Sequence, residues 1–162
     1  MKRAWFGSLM CLAGLGAATL SACGDDPTGV EFEVIEETTF HPSLDIDLSV
    51  MSRNDAGVYL QDIMPGVGDR VLTGDVVHLQ YVLHLTNGDS IGAGPLTFAT
   101  GTQAVVPGFE WGVLGMRPGG VRKAVVPPFL GYGGGGQPLA GIPGGAVLVF
   151  DIELDSVDVA TP

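Results

Sequence analysis

Basic side chains and cysteine are both scarce in this sequence of 162 residues. It contains 7 Lys and Arg against 18 Asp and Glu, so its formal net charge is −11. Binding to nucleic acid needs a basic surface opposite the phosphates, and the acidic composition therefore predicts no nucleic-acid partner. Hydrophobic residues make up 46% of the chain, which excludes a wholly disordered protein. The length suits about one domain.

Long helices are not favoured by the composition either. Gly contributes 26 residues and Pro 11, while Lys and Glu, which suit helix interiors, are few. The glycines follow no Gly-X-Y period, which excludes collagen. We therefore expect turns and short strands.

The N-terminus has the pattern of an export signal. Lys2 and Arg3 precede an uncharged run, rich in Gly and Ala, that leads to Leu20-Ser21-Ala22-Cys23. Small residues before a cleavage site mark a secretory signal peptide. The alternative is a transmembrane anchor, which needs about 20 apolar residues. The weak hydrophobicity of the run and the acidic residues after Cys23 favour cleavage.

Leu20-Ser21-Ala22-Cys23 resembles the lipobox of bacterial lipoproteins. The resemblance implies that residues 1–22 are removed and that Cys23 is lipidated, with more than one acyl chain for stable anchoring. The protein would then be exported and held in the cell envelope by its lipid, at the periplasmic face of a bacterial membrane or at the cell surface. Cys11 would leave with the signal, so we expect neither a disulfide nor a cysteine-based metal site.

Residues 23–52 are predicted to form an acidic tether that holds the folded domain off the membrane. They contain Pro27, Pro42 and several acidic side chains, and they lack a sustained hydrophobic period. The tether is either free or docked on the domain. A docked tether would use its larger apolar side chains, which are Phe32, Val34, Ile35, Phe40 and Leu44.

Strand patterns begin at residue 57. Residues 75–86 alternate as a half-buried antiparallel strand does, and their apolar face carries Val77, Leu79, Tyr81, Leu83 and Leu85. Asn87-Gly88 predicts a tight hairpin into a second strand near Ser90. Further strands are expected at 58–63, 121–126 and 146–154. In the last of these, Val147 and Val149 fall on the outward face.

One short helix is predicted to start at Pro107, because Pro suits the first turn of a helix. Phe109, Val113 and Met116 have the spacing of one buried helix face. Trp111 lies roughly 200° around the helix from Phe109 and is expected to be exposed. Together the patterns predict an α+β fold, an antiparallel sheet with one short helix on its apolar face.

The segment from Arg53 to Asp158 resembles the FKBP-type peptidyl-prolyl cis-trans isomerases, on motifs whose order and spacing match. These are Val105-Val106-Pro107-Gly108-Phe109 with Gly112 and Met116, then Tyr132-Gly133, Ile142-Pro143, and Leu148-Val149-Phe150-Asp151-Ile152-Glu153-Leu154. The resemblance implies a curled antiparallel sheet wrapped around one short α-helix. The gap between sheet and helix would be an apolar pocket for a prolyl ring.

The same resemblance assigns roles to individual positions. The hydroxyl of Tyr132 would bind a substrate carbonyl, Phe109 would form the pocket floor, and the catalytic set would be Tyr132, Phe109, Tyr81 and Phe150. The other substrate-binding positions would be Val105, Val106, Ile142, Ile91 and Leu96.

The sequence departs from the family pattern at three places. Ile91-Gly92 stands where the family usually has Phe-Asp, and Leu96 replaces an aromatic residue. Phe129-Leu130 occupies the position of an acidic residue before the tyrosine loop. The missing aspartate at Gly92 predicts an isomerase of reduced activity.

The function implied is a prolyl isomerase that assists the folding of exported proteins. Its partners would be proline-containing polypeptides, unfolded or folding, and the membrane through the lipid. We expect a monomer with no cofactor and no metal site. Two alternatives stay open, a proline-peptide-binding or chaperone module with little or no isomerase activity, and a structural envelope lipoprotein with a vestigial pocket.

Two further patterns have ordinary explanations. His78 and His84 lie six residues apart on the outward face of one strand, and we expect sheet-surface residues rather than metal ligands. Gly133 to Gly136 is followed by no Lys-Ser/Thr pair, so this run predicts a flexible flap at the pocket rather than a phosphate loop.

Overall fold

The computed structural model describes residues 29–160. The predicted signal peptide and the lipid acceptor Cys23 lie outside these residues. The strands are β1 (Ser52–Arg53), β2 (Tyr59–Met64), β3 (Val76–Leu85), β4 (Ser90–Ala99), β5 (Val121–Val126) and β6 (Leu148–Asp158). The helix α1 spans Pro107–Val113, and short 3-10 turns lie at Ile35–Glu37, Pro42–Leu44, Pro128–Leu130, Gly133–Gly135 and Pro138–Ala140.

The six strands form one antiparallel sheet in the order β1-β2-β5-β6-β3-β4. The alternation in β3 confirms the prediction, because Val77, Leu79 and Leu83 are buried on its inner face. The predicted hairpin is also confirmed. The Gly88 N–H donates to the carbonyl of Leu85, and Gly88 has a φ of 91°, a conformation that favours glycine.

Helix α1 lies against the inner face of the curled sheet. Gly108 and Gly112 let it approach β5 and β6 closely, since a Cβ at Gly108 would overlap Val126. Phe109, Val113 and Met116 are buried as predicted, although Met116 lies in the turn after the helix has ended at Val113. Burial of such a side chain contributes about 1.5–3 kcal/mol. The predicted α+β architecture is therefore the observed one.

The outer face of the sheet is covered by the chain that precedes β1. Ile35, Leu44 and Met51 form a second buried cluster whose sheet side consists of Val125, Val147 and Val149. Phe40 packs half-buried at its edge. Residues 29–51 are therefore a packed layer of the domain.

Two of the five proposed docking residues do not take part in that cluster. Phe32 is 40% exposed and Val34 48% exposed, whereas Ile35 is buried. The backbone at Val34 is extended, with φ −103° and ψ 122°. Successive side chains in extended backbone point to opposite sides, so Val34 faces outward when Ile35 faces the sheet.

A polar contact fastens the same segment to β2. The Tyr59 hydroxyl donates to the Glu36 carboxylate over 2.7 Å. This hydrogen bond lowers the pKa of Glu36 and raises the pKa of Tyr59. Arg53 lies 3.8 Å from the same carboxylate and 5.9 Å from the centre of the Tyr59 ring.

Within residues 29–160, no helix has both the length and the apolar character that crossing a membrane would require. In that part of the chain, no group of three or more His, Cys, Asp or Glu side chains converges in a way that could hold a metal ion.

Candidate functional site

An apolar cavity of about 460 Å³ opens between α1 and the inner face of the sheet. None of the side chains that line it is charged. They are Tyr81, Leu83, Leu96, Ala104, Val105, Val106, Phe109, Tyr132 and Phe150. The cavity can accept a compact apolar group, and its two tyrosines are the only side chains in the wall that can donate a hydrogen bond.

Phe109 forms the floor of the cavity and is 2% exposed. Its ring centre lies 4.8 Å from that of Phe150 and 5.7 Å from that of Tyr81, and both pairs meet edge to face. The ring centre of Phe98 lies 6.0 Å from that of Phe109, and Phe98 itself does not line the cavity. Such aromatic pairs contribute about 0.5–1.5 kcal/mol beyond their buried area. The floor is thus held rigidly from both sheet and helix.

The loop between β4 and α1 provides one side of the cavity. The Glu110 carboxylate accepts the Gly101 N–H over 2.8 Å, and this bond ties the loop to α1. Gln103 adopts a left-handed φ of 57°, which is uncommon for a residue with a Cβ. Val105 and Val106 follow directly and present their side chains to the cavity.

Residues 131–145 contain Tyr132 and end before β6, and we call them the site loop. The Gly136 N–H donates to the carbonyl of Tyr132 over 3.2 Å, and the Gly145 N–H donates to that of Gly133 over 2.8 Å. Gln137 and Ile142 exchange a pair of backbone hydrogen bonds. The loop is therefore closed on itself on both sides of its tip.

Tyr81 and Tyr132 both line the cavity, and no side-chain hydrogen bond engages either hydroxyl among residues 29–160. Each can donate a hydrogen bond to a carbonyl placed in the cavity.

The structure brings seven of the nine predicted site residues to this wall, namely Tyr132, Phe109, Tyr81, Phe150, Val105, Val106 and Leu96. Ile142 and Ile91 are not among the lining residues. Ile142 is 2% exposed and belongs to the core. Ile91 sits at a register shift, because Leu83 pairs with Gly92 and His84 pairs with Ser90. This bulge leaves Ile91 without a cross-strand partner, and its side chain packs half-buried against the core beside the cavity.

Leu83 and Ala104 line the cavity and were not predicted as site residues. Leu83 lies on the same inner face of β3 as Tyr81, so the alternation of that strand could have identified it. Ala104 carries no such signal, because it lies in an irregular loop.

Gly92 lies opposite Leu83 at the edge of the site. A Cβ at this position would lie 3.8 Å from the Tyr81 hydroxyl, an ordinary contact distance, and Gly92 is not in the left-handed region. The backbone therefore accommodates a side chain here.

Other polar groups on the sheet are paired elsewhere. His78 contacts Thr97 at 3.0 Å and Asp158 at 3.1 Å. His84 lies 3.6 Å from Asp151, whose carboxylate also pairs with Lys123. The two histidines have separate partners and do not converge on one site.

A second cavity of about 620 Å³ lies on the far side of Val105. It is larger, but its wall holds the Glu110 carboxylate and the exposed Trp111 and no tyrosine. We place the functional site in the smaller cavity, because that one combines an aromatic floor with free hydroxyl donors.

Known proteins are similar to this chain in sequence and in fold. Residues 68–155 match the family model for FKBP-type peptidyl-prolyl cis-trans isomerases. The chain is 42% identical to peptidyl-prolyl cis-trans isomerase FKBP2 of Homo sapiens over 93 residues, which are 54% of this chain and 65% of that protein. It is also 42% identical to FK506-binding protein 4 of Chaetomium thermophilum over 102 residues, 60% of this chain and 21% of that protein.

Solved structures agree. FkpA from Escherichia coli superposes with a TM-score of 0.62 and 32% identity, over 69% of this chain and 53% of that one. AtFKBP13 superposes with a TM-score of 0.61 and 32% identity, over 67% of this chain and 98% of that one. The chain belongs to the FKBP-type peptidyl-prolyl cis-trans isomerase family. It spans about a fifth of the length of the FK506-binding protein 4 that it matches.

Proposed function

We propose that this protein catalyses the cis-trans isomerisation of X–Pro bonds in exported polypeptides while they fold. The observation that carries the proposal is the uncharged cavity with Phe109 as its floor and Tyr132 in its wall. A prolyl ring fits the apolar part, and the carbonyl of the preceding residue would accept a hydrogen bond from Tyr132.

The chemistry needs no covalent step. Rotation about an X–Pro bond is slow because it breaks amide resonance, which gives a barrier of about 18–20 kcal/mol. The twisted amide has less charge separation than the planar amide, so a cavity that excludes water favours it relative to bulk solvent. Each 1.4 kcal/mol or so of preference for the twisted form accelerates the reaction about tenfold. Tyr81, Val106, Phe109 and Phe150 would supply the apolar surroundings.

The activity is proposed to be lower than in relatives that have an aspartate at the position of Gly92. A carboxylate there would lie beside the Tyr81 hydroxyl and could order the polar groups around the substrate carbonyl. One hydrogen bond to a charged group contributes about 1.5–3 kcal/mol. Its absence should therefore cost roughly tenfold to a hundredfold in rate.

Gly92 also supports a second candidate function. A module that binds proline-containing peptides, or acts as a chaperone, needs the apolar cavity but no group that stabilises the twisted amide. The uncharged wall satisfies that requirement. The two functions differ in turnover alone, so one assay separates them.

The site of action is proposed to be the cell envelope, with a monomer held by lipid on Cys23. The support is the sequence pattern Leu20-Ser21-Ala22-Cys23 after a short basic start. The protein should partition with membranes, and Cys23→Ala should release it or leave it uncleaved. An intact mass that shows a free, unmodified Cys23 would contradict the anchoring.

The isomerase proposal is tested by the rate of cis-to-trans conversion of a short X-Pro peptide with an apolar X. The wild-type protein should accelerate the conversion, and a macrolide that fills such pockets should remove the acceleration. Phe109→Ala serves as the site-directed control and should be close to inactive. If the wild-type protein binds the peptide but converts it no faster than buffer, the binding-module function takes its place.

A further inference from the structure

The chain before the family domain touches the loop that carries Tyr132. We call residues 30–34 the N-terminal strap. The strap precedes residue 68, where the match to the family model begins, so the family model assigns it no role. Its contacts with the site loop involve backbone hydrogen bonding and closely packed glycines, and the Glu33 carboxylate bonds to Val147 just after that loop.

A short series of backbone hydrogen bonds leads from the strap to Tyr132. The Glu33 N–H donates to the carbonyl of Gly145 over 2.8 Å. The Gly145 N–H donates in turn to the carbonyl of Gly133 over 2.8 Å, and Gly133 directly follows Tyr132. Gly145, at the end of the site loop, is therefore hydrogen-bonded both to the strap and to Gly133 near the start of the loop.

The Glu33 carboxylate forms hydrogen bonds with two further segments of the chain. One carboxylate oxygen accepts the Val147 N–H over 2.7 Å, just before β6 begins. The other accepts the hydroxyl of Thr86 over 3.1 Å, at the end of the β3–β4 hairpin. Hydrogen bonds to an ionised acceptor are stronger than neutral ones. The Glu33 carboxylate thus joins the strap to the hairpin and to the residue that precedes β6, two positions after the site loop ends.

The glycines of the site loop are packed against the strap. A Cβ at Gly145, which has a φ of 77°, would overlap the carbonyl oxygen of Glu31. A Cβ at Gly134 would lie 3.2 Å from the ring of Phe32. At Gly144 it would lie 3.2 Å from Val30. The approach at Gly145 needs glycine, and the other two are tight contacts, so strap and loop lie closely packed against each other.

We propose that Glu33 is a positioning residue for Tyr132 and that the strap is an integral part of the isomerase site. This rests on the proposed function of Tyr132 as the donor to the substrate carbonyl. The strap fixes the site loop from behind, and the loop in turn fixes the Tyr132 hydroxyl at the cavity rim. Precise placement of such a group matters because small displacements reduce catalysis steeply.

The test compares Glu33→Ala and Glu33→Gln with Glu37→Ala in the full chain. Glu37 lies on the same segment, is exposed and makes no side-chain hydrogen bond to residues 29–160, so it is the matched control. Glu33→Ala should speed amide exchange at Gly136 and Gly145, whose N–H groups donate to the carbonyls of Tyr132 and Gly133. It should also lower kcat/KM about tenfold, less than the roughly hundredfold that a displacement of about 1 Å can cause. Glu33→Gln keeps one acceptor oxygen and should recover part of both effects, and Glu37→Ala should match the wild type.

A double-mutant cycle separates positioning from mere support of the fold. If Glu33 acts through Tyr132, Glu33→Ala should have little further effect on kcat/KM when Tyr132→Phe is already present. Independent, additive losses would overturn the proposal, and so would an unchanged kcat/KM in a folded Glu33→Ala protein. If Glu33→Ala fails to fold, Phe32→Ala removes the contact with Gly134 from an exposed position and should change exchange and kcat/KM in the same direction.

The two proposals fail in different ways. A wild-type protein without isomerase activity would overturn the proposed function, and with it the role of Tyr132. The exchange comparison does not depend on activity. Unchanged exchange at Gly136 and Gly145 in Glu33→Ala would overturn the strap's hold on the loop even if the wild type is an active isomerase.

Discussion

Gly92 is the residue at which the chemistry of the wall can be changed most simply. Its Cβ position lies 3.8 Å from the Tyr81 hydroxyl, and its backbone tolerates a side chain. Gly92→Asp should therefore fold and raise kcat/KM by roughly tenfold to a hundredfold, since one hydrogen bond to a charged group contributes about 1.5–3 kcal/mol. The measurement is peptide isomerisation, with Gly92→Asn as the uncharged control. A folded Gly92→Asp protein with wild-type activity would show that a carboxylate here is irrelevant.

Phe109 and Tyr132 should respond differently to truncation. Phe109→Ala should lower the free energy of unfolding by about 3–5 kcal/mol, as large-to-small core changes do, and nearly abolish activity because the floor is lost. Tyr132→Phe removes only the hydroxyl, so it should lower kcat/KM without a comparable loss of stability. Urea unfolding and the peptide assay measure the two effects. Equal losses of stability in both variants would contradict the assigned positions.

Trp111 offers an optical check of the helix orientation. It is 46% exposed and is the only tryptophan among residues 29–160. In a protein that lacks Trp5, the emission should therefore be red-shifted and accessible to a polar quencher such as iodide or acrylamide. A strongly blue-shifted, protected emission would mean that α1 presents a different face to the sheet.

Asp75, which lies just before β3, joins the ends of three strands by hydrogen bonds. Its carboxylate accepts the backbone N–H groups of Leu72 and Ala160 over 2.8 and 2.9 Å, and these bonds lower the pKa of Asp75. The backbone N–H of Thr100 donates to the backbone carbonyl of Asp75 over 2.9 Å. Asp75 therefore holds the starts and ends of β3, β4 and β6 together.

The lowered pKa gives a pH dependence with a definite sign. The folded state holds the ionised carboxylate better than the unfolded state, where the pKa is about 3.9. The stabilisation is therefore complete above that value and is lost as the pH falls through the lowered pKa of the folded state. Asp75→Asn should have a lower urea midpoint than the wild type at pH 6, and the gap should narrow below about pH 4. A gap that stays constant down to pH 2.5 would contradict this role.

The whole molecule depends on the chain before β1 as a second layer. Leu44 is 2% exposed beneath the sheet, while Val34 on the same segment faces outward. Leu44→Ala should lower the free energy of unfolding by about 2–5 kcal/mol. Val34→Ala is the matched control and should change it by about 0.5 kcal/mol or less, as surface substitutions do. Equal effects would mean that the segment is not packed on the sheet in solution.

The position of the strap in this layer limits how far the site loop could lie from a lipid on Cys23. Seven residue steps separate Cys23 from Val30 in the strap, and seven extended residues span at most about 25 Å. A lipid anchor at Cys23 would therefore keep the site loop near the membrane surface.

The sequence by itself determined the elements that rest on local chemistry. The alternation in residues 75–86, the Asn87-Gly88 turn and the proline at position 107 each act within a few residues, and β3, its hairpin and α1 formed where these patterns indicated. Tyr81, Phe109, Tyr132 and Phe150 come from distant positions, yet the order of their motifs was enough to bring them to one expected cavity.

Only the tertiary structure decided what covers the outer face and how the site loop is held. Val147, just before β6, and Val149 within it fall on the outward face of the alternating pattern, as solvent-facing residues do. Both are nevertheless fully buried, because residues 29–51 pack over them. The bonds of Glu33 to Val147 and Gly145 join residues far apart in sequence. No local pattern encodes such contacts, because they depend on where the curled sheet places both partners.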